Sequence, residues 1–260
     1  MELFDTHFHY YDKEQSPREY YEEIKTPELK YLLAAGADLE ESRTARRFAE
    51  EIENSWFSAG VHPHSAAEFK NIKAFDEFKD HNKLAAIGEI GVDYFYDNSP
   101  RKIQRSVMEQ FLALALQWNL PAQIHLRDAD GKFDAYADGL AMLEDFAGDG
   151  GRFVVHCFSG TPGWAEKFLE LGAFLGITGI VTFPRAANIR ETLQVIPDER
   201  LLIETDSPYL APVPYRGKTN NPGYVIKVAE KIAEERGSTV EKIAELTTGN
   251  AFGLFNLERA

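Results

Sequence analysis

Histidine and carboxylate side chains concentrate at the ends of short apolar segments in this 260-residue chain. Six of the seven histidines have such positions, and only His81 does not. These side chains are divalent-metal ligands and proton carriers, and a closed α/β barrel assembles one active site from the ends of many strands. The pattern therefore predicts a single polar site at one end of such a barrel. Its candidate residues are His7, His9, His62, His64, His125 and His156, with Asp5, Glu89 and Asp206.

The first candidate pair, His7 and His9, follows the first apolar segment. In extended backbone these two side chains point to the same side, about 7 Å apart at Cα. Two imidazoles so placed can converge on one divalent ion, at about 2.0 to 2.1 Å from each nitrogen for zinc. Two histidines that make ordinary hydrogen bonds give the same spacing, so this pair alone leaves both interpretations open.

Each of four further apolar segments is followed by a residue that is costly to bury unless it is paired, hydrogen-bonded or bound to metal. These residues are Glu89, His125, His156 and Asp206. Four histidines and two carboxylates suffice for two ions, provided that one carboxylate bridges ions about 3.5 to 4 Å apart. Glu89 is the better bridge because it lies midway in barrel order, whereas Asp206 closes the ring beside the first strand. The expected first ion binds His7, His9, Glu89 and Asp206, and the second binds Glu89, His125 and His156.

Eight short segments rich in apolar, β-branched and aromatic residues alternate with helical patterns, which is typical of parallel βαβ units. The chain length is close to that of a TIM (β/α)8 barrel, so residues 1–260 are predicted to form one domain with this α/β fold. The predicted strands are Glu2 to Phe4, Lys30 to Ala34, Trp56 to Ala59, Leu84 to Ile87, Ala122 to His125, Phe153 to His156, Ala173 to Ile177 and Leu201 to Glu204.

Helix starts are predicted from two capping boxes, Ser65-x-x-Glu68 and Ser238-x-x-Glu241. Residues 107–118 repeat apolar side chains every three or four positions, which indicates the buried face of a long helix. The segment 211–218 is predicted to be a rigid loop before a helix that begins near Pro222.

The net charge of −14 disfavours broad adsorption to a polyanion, so a phosphate substrate needs a local positive site. Two divalent ions beside two carboxylates would supply one, with a local charge of about +2.

Cys157 is the sole cysteine, which precludes an intramolecular disulfide and fits a reducing compartment. The sequence has neither a secretory signal pattern nor the roughly 18 apolar residues of a membrane span. We therefore expect a cytoplasmic protein without membrane association, and we infer no obligate protein partner.

Several stretches of the chain carry a resemblance to a known family: residues 5–9, 60–63, 88–94, 125–129, 156–160, 204–210 and 216–220. In these stretches the chain resembles the TatD family of metal-dependent hydrolases and nucleases, within the amidohydrolase superfamily. The resemblance implies a TIM barrel, bound divalent metals held by the six ligands named above, and hydrolysis of nucleic acid, with DNA as substrate. Two residues depart from the family pattern, Leu126 in place of the usual serine and Thr219 in place of a frequent basic residue.

Loop residues on the same side are candidates for contacting a substrate phosphate. His62, in a Gly-x-His-Pro segment, is favoured for this role over a plain proline turn. Arg127, Arg216 and Lys218 are the expected cationic contacts, and solvated surface charges are the alternative. His64 is given no role in substrate binding, and one alternative is that it caps the following helix. Aromatic residues near strand ends are candidates either for stacking on unpaired bases or for core packing: Phe8, Tyr94, Phe95, Tyr96 and Phe158.

Glu204 competes with Asp206 as a metal ligand, because residues two apart in a strand face the same way. Asp206 lies nearer the strand end, where barrel enzymes place their chemistry. Glu204 is therefore expected to support the site, for example by pairing with Arg127 or Lys218.

Glu89 and Asp206 are the expected catalytic residues of a two-metal hydrolase. The ions, zinc, magnesium or manganese, would lower the pKa of a water, Asp206 would accept or orient its proton, and the resulting hydroxide would attack phosphorus. Two alternatives stay open. The first is hydrolysis of an amide or ester, such as an aminoacyl linkage, on the same scaffold. The second is a noncatalytic metal-binding protein with a quality-control role.

Overall fold

Parallel strands in chain order form one eight-stranded sheet in the computed structural model, which describes residues 1–11 and 15–259. Each strand pairs with the next one along the chain, from the first to the eighth. This topology confirms the predicted TIM (β/α)8 barrel. The strands are β1 (Leu3–Phe8), β2 (Leu29–Ala34), β3 (Ser55–Ala59), β4 (Leu84–Asp93), β5 (Ala122–Arg127), β6 (Phe153–Val155), β7 (Phe174–Ile177) and β8 (Leu201–Ile203).

Helices surround the sheet and bury their apolar faces against it. The α-helices are α1 (Pro17–Ile24), α2 (Leu39–Glu51), α3 (Arg101–Trp118), α4 (Asp134–Gly148), α5 (Pro162–Glu170), α6 (Ala187–Thr192), α7 (Val225–Arg236) and α8 (Val240–Phe255). Short 3₁₀ helices lie at Pro63–Glu68, Ile72–Phe78, Gly179–Thr182, Asp198–Arg200 and Pro222–Tyr224. Among the described residues, none of the helices combines the length and apolar character needed to span a bilayer.

The segment that follows β8 closes the barrel against β1. The Asp206 N–H donates to the His7 carbonyl at 2.9 Å, and the His9 N–H donates to the Ser207 carbonyl at 2.7 Å. These bonds replace a regular ladder between the first and last strands. The closing seam therefore carries three of the predicted metal ligands and fixes their backbone positions relative to one another.

Three strands run further than the sequence predicts: β1 to Phe8, β4 to Asp93 and β5 to Arg127. Glu89 consequently lies within β4 and not after it. Polar residues and glycines are weak strand signals, but pairing with the neighbouring strands overrides local propensity here. Gly91 is essential to that pairing, because its φ is 153° and a Cβ would lie 1.9 Å from the His125 carbonyl oxygen.

Both predicted capping boxes are wrong in position. Ser65 lies inside the 3₁₀ helix Pro63–Glu68, which is capped by the His62 side chain. A proline at the first helical position favours this start, because proline has no backbone N–H to satisfy there. The second box is one residue out, since Thr239 and not Ser238 caps α8.

An aromatic cluster fills the end of the barrel where the strands begin. The Phe4 ring centroid lies 5.8 Å from that of Tyr31, 5.6 Å from that of Trp56 and 5.7 Å from that of Phe252. Phe252 and Phe255 belong to α8, so the last helix seals this end of the barrel. The polar candidate residues lie at the opposite end of the barrel, where the strands finish.

Phe4→Ala is expected to lower the free energy of unfolding by about 3 to 5 kcal/mol, because a buried ring is replaced by a cavity. Urea-induced unfolding followed by circular dichroism measures this loss. Ile103→Ala is the control, since this side chain on α3 is 40% exposed and its loss should matter little. Equal midpoints for Phe4→Ala and the wild type would show that α8 does not seal the barrel as described.

Candidate metal centre and active site

The predicted ligands meet at the carboxyl end of the barrel, around the buried Glu89 side chain. We call these six residues the ligand group: His7, His9, Glu89, His125, His156 and Asp206. Glu89 Oε2 lies 3.4 Å from Nε2 of both His7 and His9. Glu89 Oε1 lies 2.8 Å from His125 Nδ1 and 3.1 Å from His156 Nε2. One carboxylate oxygen thus faces each histidine pair, which is the arrangement expected of a bridging ligand.

Asp206 completes the group on its more open side. Its Oδ1 lies 3.7 Å from His9 Nε2 and 4.0 Å from His7 Nε2. The Asp206 side chain is 15% exposed, whereas that of Glu89 is 3% exposed. A left-handed backbone with φ of 54°, which aspartate tolerates better than most residues, aims the side chain into the group. Among these residues, Asp206 is therefore the carboxylate that solvent reaches.

Buried nitrogen atoms in this group lack hydrogen-bond partners. Within the described part of the chain, both ring nitrogens of His7 and Nδ1 of His9 are in this state. Buried polar atoms are normally satisfied, and closely spaced nitrogen and oxygen donors suit a divalent cation. Three sets of side chains bring their donor atoms within 4.8 Å of one another: His7, His9 and Glu89; His7, His156 and Asp206; and His62, Glu89 and His125. The donor set therefore fits bound metal.

The electrostatics of the group also favour a cation. Burial lowers the pKa of His9, but contacts with Asp206 and Glu89 outweigh burial and raise that pKa to about 10. Burial raises the pKa of Glu89, yet the surrounding histidines hold it well below its ordinary value. The pKa of His7 is lowered, mainly by burial. The carboxylates thus stay ionised and attract positive charge, which a divalent ion supplies as well as a proton does.

Glu204 contacts His156 at the ring nitrogen that faces away from Glu89. Its Oε1 accepts a hydrogen bond from His156 Nδ1 at 3.0 Å and another from the Cys157 N–H at 2.5 Å. This contact turns the other imidazole nitrogen towards the centre of the group, as carboxylates behind metal-binding histidines do. The expected support role is therefore present, but the suggested pairing with Arg127 or Lys218 is wrong, because the buried Glu204 side chain faces His156.

Asp93 is a further residue of the site, and no motif in the sequence predicted it. Its Oδ2 lies 3.1 Å from both His125 Nε2 and His64 Nε2. Burial raises the pKa of Asp93, but the hydrogen bonds from these histidines outweigh burial and lower it. The alternation of β4 contained the signal, since Glu89, Gly91 and Asp93 fall on one side of an extended strand.

His62 contacts two members of the ligand group. Its Nε2 is 3.4 Å from His125 Nδ1 and 3.6 Å from Glu89 Oε1. Burial lowers the pKa of His62 well below its ordinary value, so the imidazole is neutral at physiological pH. Its Nδ1 also accepts the His64 N–H at 3.2 Å, so the capping role that the sequence offered to His64 belongs to His62.

The three predicted cationic contacts are exposed and lie outside the ligand group. Arg127 ends β5, two positions beyond His125. Arg216 and Lys218 lie in the loop after β8, where the Arg216 guanidinium is stacked 3.9 Å from the centre of the Phe183 ring. These positions put positive charge at the end of β5 and on the loop after β8, at the carboxyl end of the barrel.

Asp5, the remaining carboxylate of the sequence pattern, faces the closing seam. Its two oxygens accept hydrogen bonds from the Thr205 N–H at 2.8 Å and the Thr205 hydroxyl at 2.6 Å. Complete burial raises the pKa of Asp5 well above its ordinary value. Asp5 therefore holds the segment that carries Asp206 in place.

Comparison with known proteins agrees with this fold. A family model described as TatD related DNase matches residues 4–256. An uncharacterised metal-dependent hydrolase, YabD of Bacillus subtilis (strain 168), is 37% identical over 98% of this chain and 99% of its own. The 3'-5' ssDNA/RNA exonuclease TatD of Citrobacter rodentium (strain ICC168) is 36% identical over 87% of this chain and 86% of its own. The crystal structure of YJJV, a TatD homologue of Escherichia coli K12, has a TM-score of 0.88 at 26% identity and covers 98% of each chain.

A (β/α)8 barrel with a buried group of histidines and carboxylates at its carboxyl end defines the class of metal-dependent hydrolases. The family model spans nearly the whole chain, and similar relatives carry the same class in their names. The chain belongs to the TatD related DNase family. The resemblance drawn from the sequence motifs is therefore confirmed.

Proposed function

We propose that the protein is a divalent-metal-dependent nuclease that hydrolyses phosphodiester bonds of DNA with an activated water. The observation that carries this proposal is the Glu89 carboxylate shared between two histidine pairs, with Asp206 on the open side. A two-metal centre serves displacement at phosphorus by stabilising both the attacking and the leaving oxygen. The name of the Citrobacter relative, an exonuclease on single-stranded DNA and RNA, supports the same substrate class.

Two divalent ions are the proposed cofactors, with zinc, magnesium and manganese as candidates. Nitrogen-rich ligation suits zinc, whereas nucleases with exchangeable ions often use magnesium or manganese. When bound, such ions lower the pKa of a water and neutralise charge that develops on the phosphate oxygens. The proposed ligands are His7, His9, Glu89 and Asp206 for the first ion, and Glu89, His125 and His156 for the second.

Asp206 is the proposed proton acceptor. Burial raises its pKa, but the close contact with His9 and the nearby His156 and His7 imidazoles outweigh burial and lower the pKa below its ordinary value. The carboxylate is therefore ionised at neutral pH and can take the proton of the attacking water. Its partial exposure supports this role, because solvent reaches the carboxylate.

His62, Arg127, Arg216 and Lys218 are the proposed substrate contacts. The neutral imidazole of His62 can donate a hydrogen bond to a phosphate oxygen beside the ligand group. The three cations supply local positive charge in a protein whose net charge is −14. Residues 1–260 are proposed to act as one catalytic domain in the cytoplasm, without a membrane or an obligate protein partner.

A parallel assay tests this function. Single-stranded DNA, duplex DNA, RNA and small esters and amides are each incubated with the purified protein and Mg²⁺, Mn²⁺ or Zn²⁺. We expect metal-dependent cleavage of DNA that chelation abolishes and added metal restores. Hydrolysis confined to esters or amides would replace the nuclease with a carbonyl hydrolase on the same scaffold. Metal binding near two ions per chain without hydrolysis of any substrate would favour a noncatalytic protein.

Glu204→Gln is expected to weaken metal binding about 10- to 100-fold, because the neutral amide orients His156 less firmly than the carboxylate does. Competition against a chromogenic chelator measures the affinity without any turnover.

Glu166→Gln, an exposed position on α5, is the matched control and should leave the affinity unchanged. If Glu204→Gln binds metal as tightly as the control, Glu204 serves only to fill the barrel interior and does not position His156.

A further inference from the structure

Exposed aromatic rings lie only beside the candidate site in the described part of the chain. Phe95 is 46% exposed, and Tyr96 and Tyr209 are each 52% exposed. Phe95 and Tyr96 follow β4, and Tyr209 follows β8, so all three belong to loops at the carboxyl end of the barrel. Large aromatic side chains are usually buried, and exposed ones mark binding surfaces.

Arg127 joins the first two rings into one surface. Its guanidinium carbon lies 4.6 Å from the centre of the Phe95 ring and 4.9 Å from that of Tyr96. The two rings meet edge to face, with centroids 4.7 Å apart. Arg127 forms no salt bridge with any residue that the structure describes, so its charge is open to a ligand.

The same surface is tied rigidly to the ligand group. Asp93 Oδ1 accepts the backbone N–H groups of Phe95 and Tyr96, at 3.0 and 2.9 Å. The other oxygen of this carboxylate contacts His125 Nε2 at 3.1 Å. The Tyr96 ring also packs edge-on against His64, with centroids 5.3 Å apart. A base held on these rings is therefore held at a fixed position relative to the ligand group.

We propose that Phe95, Tyr96 and Arg127 form a stacking platform for one unpaired nucleobase next to the scissile phosphodiester. The inference rests on the proposed nuclease function and adds the residues that select single-stranded substrate. Aromatic rings and a planar guanidinium stack on the face of any base, and the cation attracts the adjoining phosphate. A base inside a duplex has no free face, so the platform favours strand ends and single strands.

The test combines loss of the rings with loss of the base. Wild-type protein and Phe95→Ala/Tyr96→Ala are assayed on a single-stranded oligothymidine and on the same oligomer with an abasic residue beside the cleaved bond. We expect kcat/KM of the wild type to fall about tenfold or more on the abasic oligomer. The double variant should show that loss already on the intact oligomer, with no further loss on the abasic one. Arg127→Lys, which keeps the charge without the planar group, should show an intermediate loss.

Ile103→Ala, which removes a 40% exposed apolar side chain from α3, should keep the wild-type penalty for the abasic residue. The platform is disproved if the double variant cleaves the intact oligomer as well as the wild type does, or if it retains the full abasic penalty. Absence of any abasic penalty in the wild type also disproves it. Failure of the wild type to cleave either oligomer would instead overturn the nuclease function, and the platform with it.

Discussion

Glu89→Gln is expected to lower phosphodiester hydrolysis about a thousandfold or more while the barrel stays folded. Glu89 contacts both histidine pairs through its two oxygens, so its loss should weaken the binding of both proposed ions at once. Glutamine has the same size but one carbonyl oxygen and no charge, so it cannot bridge two cations. Initial rates on single-stranded DNA and the number of bound metals per chain measure the two effects.

The control for this variant is Glu68→Gln, at an exposed position of the 3₁₀ helix after β3. It should retain wild-type rates and metal content. Circular dichroism and thermal unfolding should give a folded barrel for both variants. Wild-type hydrolysis by Glu89→Gln would exclude the bridging role that we propose for this carboxylate.

Asp206→Asn is expected to lower kcat about 10²- to 10⁴-fold, the range for loss of a positioned proton acceptor. Asparagine keeps a metal-binding oxygen and the shape of the side chain, but it cannot accept a proton. We therefore expect KM for DNA to change much less than kcat. Steady-state kinetics on a single-stranded oligonucleotide separate the two constants.

Asp76→Asn, an exposed aspartate on the 3₁₀ helix Ile72–Phe78, is the matched control and should behave as the wild type does. A large rise in KM with unchanged kcat for Asp206→Asn would assign Asp206 to substrate binding. Full activity would remove it from the mechanism altogether.

The barrel could be predicted from sequence because its eight strands are buried apolar segments with clear helical stretches between them. The ends of β1 and β4 could not be predicted in this way. Residues such as Asp5, Glu89 and Gly91 oppose strand propensity, and pairing between neighbouring strands keeps them extended. The first helix cap could not be predicted from local signals either, because the 3₁₀ helix begins at Pro63 and His62 is its cap.

The ligand group could be predicted in composition but not in its supporting contacts. Strand ends in a barrel converge, so four histidines and two carboxylates at those ends had to come near one another. The contact of Glu204 with His156, and of Asp93 with His64 and His125, depends on the rotation of each strand about its axis. These contacts join neighbouring strands, or strands separated by β7 alone, and no spacing along the chain encodes that rotation.

We propose that this ligand group holds two divalent ions for phosphodiester hydrolysis. Anomalous diffraction from a crystal of the manganese-loaded protein, grown with a short phosphorothioate oligonucleotide, tests it most directly. We expect two manganese peaks about 3.5 to 4 Å apart, flanking Glu89, with a phosphorothioate group against them. No peak in this group, or a single peak with the oligonucleotide bound elsewhere on the protein, would exclude a two-ion centre for hydrolysis.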